Sequence, residues 1–197
     1  MPKFLYPPVW PFNINQRFGE NKACIPIIGY TSGTLITCDG HNPPQGYRSL
    51  YGPLGHLGLD LRASHSQPVY CAAGGIVYKI DSSERSGLDV RIETLVNGVK
   101  YRHIYEHLLG YQHKVGNRVE LGTLVGWADN TGYSSGNHLH FQLEEWQNDK
   151  WVPVDPLLFM YTHIPAIQAA TIIRRIKETL ARLADILADL LRKAKNR

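Results

Sequence analysis

The stretch Val90-Arg-Ile-Glu-Thr-Leu-Val96, then Asn97-Gly98, then Val99-Lys-Tyr-Arg-His-Ile-Tyr105, decides the fold class. Apolar and polar residues alternate in both arms, which is typical of strands that bury one face. Asn-Gly between two such arms is the strongest two-residue signal for a tight turn between antiparallel strands. The sequence therefore predicts a β-hairpin over residues 90–105.

The residues around this hairpin continue the β pattern. Residues 67–80 and 115–127 hold short β-rich runs punctuated by glycine, and no helical period occurs before residue 163. Residues 20–55 are rich in Gly, Pro, Tyr and Asn and have little periodicity, which predicts long surface loops around a site. We therefore predict an all-β domain of short strands over residues 1–160.

The C-terminal segment, residues 161–197, has a different pattern. Between Ala166 and Leu190 apolar residues recur in steps of three and four, and Pro165 suits a first helical position. This predicts a cationic amphipathic α-helix over about 165–194. Three roles remain open for it: a homo-oligomer contact, binding to an anionic membrane surface, or packing on its own domain.

Composition and charge exclude several classes. The chain has 197 residues, 43% hydrophobic and 19% charged, which is a globular composition. Of the net charge of +4, residues 172–197 carry +5 and the remainder −1, so we expect no nucleic-acid partner. No apolar run approaches the length of a membrane span, and the N-terminus lacks the apolar core of a signal peptide. Nine His against three Cys favour imidazole and carboxylate metal ligands.

Three short stretches carry candidate catalytic residues: His56-Leu-Gly-Leu-Asp60, Tyr105-Glu-His107-Leu108 and Asn130-Thr-Gly-Tyr-Ser-Ser-Gly-Asn-His138-Leu-His140-Phe141. In an extended strand residues i and i+2 share a face, so His138 and His140 project together, and His56 and Asp60 also share a side. Two His and one carboxylate, with water in the fourth position, form a catalytic zinc set. The residues alone leave open which of His138 and His140 binds the metal.

Taken together, these stretches resemble the lysostaphin/LytM-type zinc endopeptidases of peptidoglycan. The family motif H-x-G-x-D matches His56 to Asp60, Y-x-H-L matches Tyr105 to Leu108, and TG-x-S-x-G-x-HLHF matches Thr131 to Phe141. The resemblance covers about residues 12–160 in the family's order. It implies an antiparallel β-sandwich or open-barrel peptidase domain with long loops, followed here by the C-terminal helix.

The resemblance also implies roles for single residues. It assigns His56, Asp60 and His140 as ligands of Zn²⁺, and His107 and His138 as catalytic histidines that do not bind the metal. In some relatives a tyrosine upstream of the first ligand stabilises the transition state, a role for which Tyr47 or Tyr51 is the candidate here. The implied reaction is hydrolysis of peptide bonds in peptidoglycan stems or cross-bridges, as in a cell-wall lytic enzyme of the phage-lysin kind.

An alternative from another class is a non-catalytic cell-wall binding or regulatory module of the same fold, with an oligomerising tail helix. Such proteins typically lack metal ligands, and this sequence lacks none of them. Because peptidoglycan lies outside the cytoplasm, we expect the protein to act extracytoplasmically, as a secreted, lysis-released or virion-associated protein, although no signal peptide pattern is present.

Overall fold

The computed structural model describes residues 3–20 and 55–161. Within them the chain forms ten strands and one short 3₁₀ helix, Pro156–Leu158. The strands are β1 Ile14–Gln16, β2 Leu59–Arg62, β3 Pro68–Tyr70, β4 Gly75–Ser83, β5 Gly87–Val96, β6 Val99–Tyr111, β7 Arg118–Val119, β8 Leu124–Ala128, β9 His138–Gln147 and β10 Lys150–Val154.

All ten strands belong to one antiparallel, open sheet. Its main path runs β1-β2-β9-β6-β5-β4-β7, while β10 also pairs with β9, and β8 pairs with both β3 and β6. The predicted all-β antiparallel fold is therefore confirmed. The predicted C-terminal helix and the loops of residues 21–54, including Tyr47 and Tyr51, lie outside the described residues. No helix in the described part of the chain has the length and apolarity to cross a membrane.

The predicted hairpin is the centre of the sheet. Val96 pairs with Val99, and Asn97 and Gly98 form the turn with φ angles of 50° and 81°. Two successive residues with positive φ match the twist of the flanking strands, which is why Asn-Gly suits this turn. The hairpin prediction is confirmed, and β6 extends six residues beyond its predicted end at Tyr105, to Tyr111.

One face of the sheet forms the hydrophobic core. Leu59, Leu61, Leu139, Phe141 and Tyr105 alternate with the polar residues of β2, β9 and β6 and have no exposed surface. The N-terminal residues Leu5 and Val9, also fully buried, pack in the same core. Period-two alternation thus sends these apolar side chains to the core and the side chains of Asp60, His138 and His140 to the opposite face.

Candidate active site

Two neighbouring strands bring the metal-ligand candidates together. Asp60 of β2 is the direct cross-strand partner of His140 of β9, and His56 lies in the turn just before β2. Nε2 of His56, Oδ1 of Asp60 and Nδ1 of His140 form a triangle with sides of 3.1, 2.9 and 3.1 Å. His56 and His140 are buried, and the Asp60 side chain is 19% exposed.

Hydrogen bonds on the outer side of each imidazole orient these donor atoms. Nδ1 of His56 donates to the carbonyl of Arg17 at 3.1 Å, so Nε2 is the ring atom that faces Asp60. His140 is also hydrogen-bonded to Gln142, while its Nδ1 faces Asp60. The amide of Gln142 donates in turn to Glu144 at 2.9 Å. Such outer partners fix the ring orientation of metal-binding histidines.

The triangle fits a metal ion. Four tetrahedral ligands at zinc-like bond lengths of about 2.1 Å lie about 3.4 Å from one another, a few tenths of an ångström more than the three observed separations. Burial disfavours the ionised Asp60, but hydrogen bonds from His140 and His56 lower the pKa of its carboxyl well below its usual range. Burial also opposes a charge on His140, yet the hydrogen bond to Asp60 raises its pKa to about 8. The cluster therefore attracts positive charge, and it is the three-donor set that the described residues offer a metal.

His107 and His138 lie beside this triangle with ring centroids 4.7 Å apart. Nδ1 of His107 donates to the carbonyl of Thr131 at 2.7 Å, and Nδ1 of His138 donates to the carbonyl of Gly136 at 2.8 Å. Both rings thus direct Nε2 away from the backbone, and Nε2 of His138 is 3.6 Å from Oδ1 of Asp60. Burial, followed by the neighbouring His138 and His140, lowers the pKa of His107 to about 4, so this ring is a neutral proton acceptor near pH 7.

A β-bulge aims His107. Val90 pairs with Tyr105 but Leu88 pairs with Leu108, so β6 carries one extra residue opposite β5. His107 lies in that interval and has a φ of 62°, which is uncommon outside glycine. Its amide donates to Ser86 and its carbonyl accepts from Asp129, both at 2.9 Å. Bulges next to active sites re-aim side chains in this way.

These residues line a cleft of about 680 Å³. The five site residues predicted from the sequence, His56, Asp60, His107, His138 and His140, all lie in it. Ser134 also lines the cleft, and its hydroxyl lies 3.1 Å from Nδ1 of His138. His103, four residues before His107, is fully buried in the core and is not among the residues that line the cleft.

Sequence reasoning missed several residues of the cleft. Arg91, Glu106 and Gln142 line it, and Asp89 supports Arg91 from below. The alternation of polar and apolar residues in β5, β6 and β9 places Arg91, Glu106 and Gln142 on the same sheet face as His140. Charged residues at such positions usually face solvent, so the pattern alone does not identify them as site residues.

Several known proteins are similar to this chain in sequence and in fold. Lysostaphin of Staphylococcus simulans is 35% identical over 105 residues, which is 49% of this chain and 21% of lysostaphin. The glycyl-glycine endopeptidase ALE-1 of Staphylococcus capitis is 34% identical over 105 residues, 49% of this chain and 29% of that protein. The peptidoglycan DD-endopeptidase ShyA of Vibrio cholerae is 33% identical over 88 residues, 45% of this chain and 20% of ShyA. The chain thus spans less than a third of the length of these curated relatives.

The catalytic domain of the antimicrobial peptidase lysostaphin from Staphylococcus simulans has a TM-score of 0.54 with this structure at 25% identity. That likeness covers 75% of this chain and 91% of the lysostaphin domain. The sequence model of Peptidase family M23 matches residues 54–156, more than half of the chain, and these residues include all five predicted site residues. On the fold, the metal-ligand triangle and these likenesses, the chain belongs to Peptidase family M23.

Proposed function

We propose that this chain is a zinc-dependent endopeptidase that hydrolyses peptide bonds in peptidoglycan stems or cross-bridges. The observation that carries the proposal is the convergence of His56, Asp60 and His140 on one point, with His107 and His138 beside it in an open cleft. Membership of family M23 supports hydrolysis of a peptide bond, and relatives named peptidoglycan DD-endopeptidase and glycyl-glycine endopeptidase support the substrate class.

His56, Asp60 and His140 would hold the metal ion through Nε2, Oδ1 and Nδ1. Two imidazoles and one carboxylate are the ligand chemistry of catalytic zinc sites, with a fourth position left open. A zinc ion in this site supplies Lewis-acid chemistry, because it makes water a nucleophile near neutral pH and polarises the scissile carbonyl. The hydrogen bond from Nδ1 of His56 to Arg17 keeps Nε2 of His56 directed toward the metal position.

His107 and His138 handle protons in the proposed reaction. Each ring is fixed through Nδ1 to a backbone carbonyl, so Nε2 is the atom that faces the substrate. A neutral His107 accepts a proton from the attacking water, and a ring so placed also returns a proton to the leaving amine. Oriented N–H groups beside the carbonyl stabilise the oxygen that gains charge in the transition state.

The setting of the reaction follows from its substrate. Peptidoglycan lies outside the cytoplasm, so we place the action of this protein at the cell wall. In this proposal, Tyr47 or Tyr51 is a further stabiliser of the transition state, and the tail of residues 165–194 contacts an anionic membrane surface or another copy of the chain. Both segments lie outside the described residues.

The test is release of peptides from purified peptidoglycan, followed by mass spectrometry. We expect the full chain with stoichiometric zinc to open peptide bonds, a chelator to stop the reaction and added zinc to restore it. His140→Ala should be inactive, while His65→Ala, whose side chain is 59% exposed and outside the cleft lining, should match the unsubstituted protein. Cleavage that survives the chelator would contradict the proposal, and zinc binding without any cleavage would favour a non-catalytic binding module.

A further inference from the structure

The floor of the cleft carries charged side chains in ordered rows across the sheet. In the first row Asp60 pairs with His140 and His140 pairs with Glu106. In the second row Gln142 pairs with Ile104 and Ile104 pairs with Arg91. Rows two residues apart along a strand are separated by about 6.6 Å. A negative charge therefore lies next to the metal-ligand triangle, and a positive charge lies one row farther along the floor.

Arg91 is held rigidly. Its Nε donates to Oδ1 of Asp89 at 2.8 Å, and its Nη2 donates to Oδ2 of Asp89 at 3.2 Å. Asp89 is fully buried and also accepts a hydrogen bond from the hydroxyl of Ser86 at 2.9 Å. The Arg91 side chain is 27% exposed and lines the cleft. Nη1 makes no hydrogen bond to any residue in the ranges 3–20 and 55–161. A guanidinium fixed on one edge leaves its other edge available for a planar acceptor such as a carboxylate.

Glu106 has the opposite charge and a different environment. Its carboxylate also lines the cleft, and among the described residues no hydrogen bond or ion pair engages it. The pKa of the Arg91 guanidinium is raised mainly by Asp89 and, to a smaller extent, by the nearby charge of Glu106. In the described part of the chain, Glu106 and Arg91 nevertheless form no ion pair. The cleft floor thus presents two opposite charges that do not neutralise each other by contact.

Their arrangement suits a ligand that carries both charges on one carbon. Arg91 and Glu106 are diagonal neighbours on adjacent strands, a relation that places the two positions about 7–8 Å apart and within reach of each other's long side chains. In an amino-acid group the ammonium and carboxylate lie about 3 Å apart, and each can reach one of the two side chains through a hydrogen bond of about 2.8 Å. We propose that Glu106 and Arg91 form a subsite for a substrate residue that ends in a free ammonium and a free carboxylate, bound beside the scissile bond.

This inference rests on the proposed function and names the substrate class of the same cleft. Glu106 receives the ammonium, and the free edge of Arg91 receives the carboxylate. A peptide of glycine residues offers neither group, so when it displaces water from the floor, Glu106 and the outer edge of Arg91 gain no partner from it. The subsite therefore favours a stem peptide with a zwitterionic diamino-acid side chain over an uncharged bridge.

Binding of three matched dipeptides to the zinc-loaded full chain tests the subsite. Each begins with N-acetyl-γ-D-glutamate, whose acetyl group removes the ammonium of that residue, and they end in meso-diaminopimelate, in its amide at the free carboxylate, or in 2-aminopimelate, which lacks the free ammonium. We expect NMR titrations to give a Kd about tenfold lower for the first than for either of the others, which is the discrimination expected of one charged hydrogen bond. Equal affinities, or no measurable binding of the first probe, would overturn the proposal.

Variants assign each charge to its residue. Glu106→Gln should lose the preference over 2-aminopimelate, and Arg91→Lys, which keeps a cation for the buried Asp89, should lose the preference over the amide. Arg118→Lys and Glu120→Gln, at exposed positions outside the cleft lining, are the controls and should keep both preferences. Either cleft variant that folds and keeps both preferences would also overturn the proposal.

Peptide release from purified peptidoglycan, measured on the same samples, separates the two proposals. Selective binding without hydrolysis would contradict the proposed function but support the subsite. Hydrolysis without selective binding would support the proposed function but contradict the subsite.

Discussion

Thr131 holds His107, the proposed proton acceptor, in place through its backbone carbonyl, and its own side chain is held by two hydrogen bonds. Its carbonyl accepts from Nδ1 of His107, and its hydroxyl donates to the carbonyl of Leu108 at 2.9 Å and accepts from the amide of Leu88 at 3.2 Å. Thr131→Val keeps the shape but loses both hydroxyl contacts, so we expect kcat for peptide hydrolysis to fall about ten- to a hundredfold with KM nearly unchanged.

Serine at position 131 retains the hydroxyl and should restore most of that rate. Thr123→Val is the matched control, because its hydroxyl also accepts a backbone amide, from Glu120 at 3.1 Å, but lies outside the cleft lining. Steady-state kinetics of the three variants check the prediction. A loss confined to KM would show that Thr131 acts on substrate binding and not on His107.

Gly58 is required by close packing and not by an unusual backbone angle. A Cβ at this position would lie 2.5 Å from the carbonyl oxygen of Phe141 and 2.9 Å from Nε2 of His140. The backbone oxygen cannot move away cheaply, so Gly58→Ala should push β2 from β9 and displace His140. We expect at least a tenfold weaker zinc affinity by competition with a chelating dye. Gly74→Ala, where the nearest atom is 3.5 Å away, is the control and should bind zinc normally.

At the scale of elements, the sequence predicted what depends on local chemistry. Alternation and the turn Asn97-Gly98 were enough to predict the central hairpin, because strand faces and turn geometry are set by neighbouring residues. The bulge at His107 was not predictable, because positive φ is uncommon for any residue other than glycine. That conformation is imposed by the contacts of Ser86, Asp129 and Thr131, which come from other parts of the chain.

Strand β6 also contains a histidine that makes folding sensitive to acid. His103 is fully buried with Nδ1 at 2.8 Å from the hydroxyl of Tyr105, and Nε2 has no partner in the described structure. Burial lowers its pKa from an ordinary 6.5 to about 3. The unfolded chain therefore binds a proton here before the folded chain does, so stability is complete above pH 6.5 and decreases as the pH falls toward 3.

Comparison with His103→Gln isolates this contribution, since glutamine can bond Tyr105 but does not titrate. Between pH 7 and pH 4.5 we expect the unsubstituted protein to lose roughly 2–3 kcal/mol more of its free energy of unfolding than the variant loses. Urea unfolding at both pH values measures the difference. Parallel losses in the two proteins would show that His103 is already charged, or solvated, in the folded state.

At the scale of the whole molecule, the site depends on contacts that sequence spacing does not reveal. His56 and Asp60 are separated from His140 by about eighty residues, and the pairing of β2 with β9 alone makes them neighbours. The motifs indicated which residue types belong to the cluster, while its geometry required the sheet order. Arg91 and Glu106 are ordinary charged strand positions until that order places Glu106 beside His140 and Arg91 one row farther along the cleft floor.

Because the ligands come from two strands and a preceding turn, metal binding should stabilise the whole domain. A metal that binds only the folded protein adds about 2.7 kcal/mol when its concentration is a hundred times its Kd. For a domain of this size that corresponds to a rise in Tm of about 5–11 °C. We expect calorimetry to show this rise when zinc is added to chelator-treated protein, and His140→Ala to lack it. The control His107→Ala removes a residue outside the triangle, so it should retain the rise while losing hydrolysis. An equal shift in His140→Ala would mean that zinc stabilises the fold from another position.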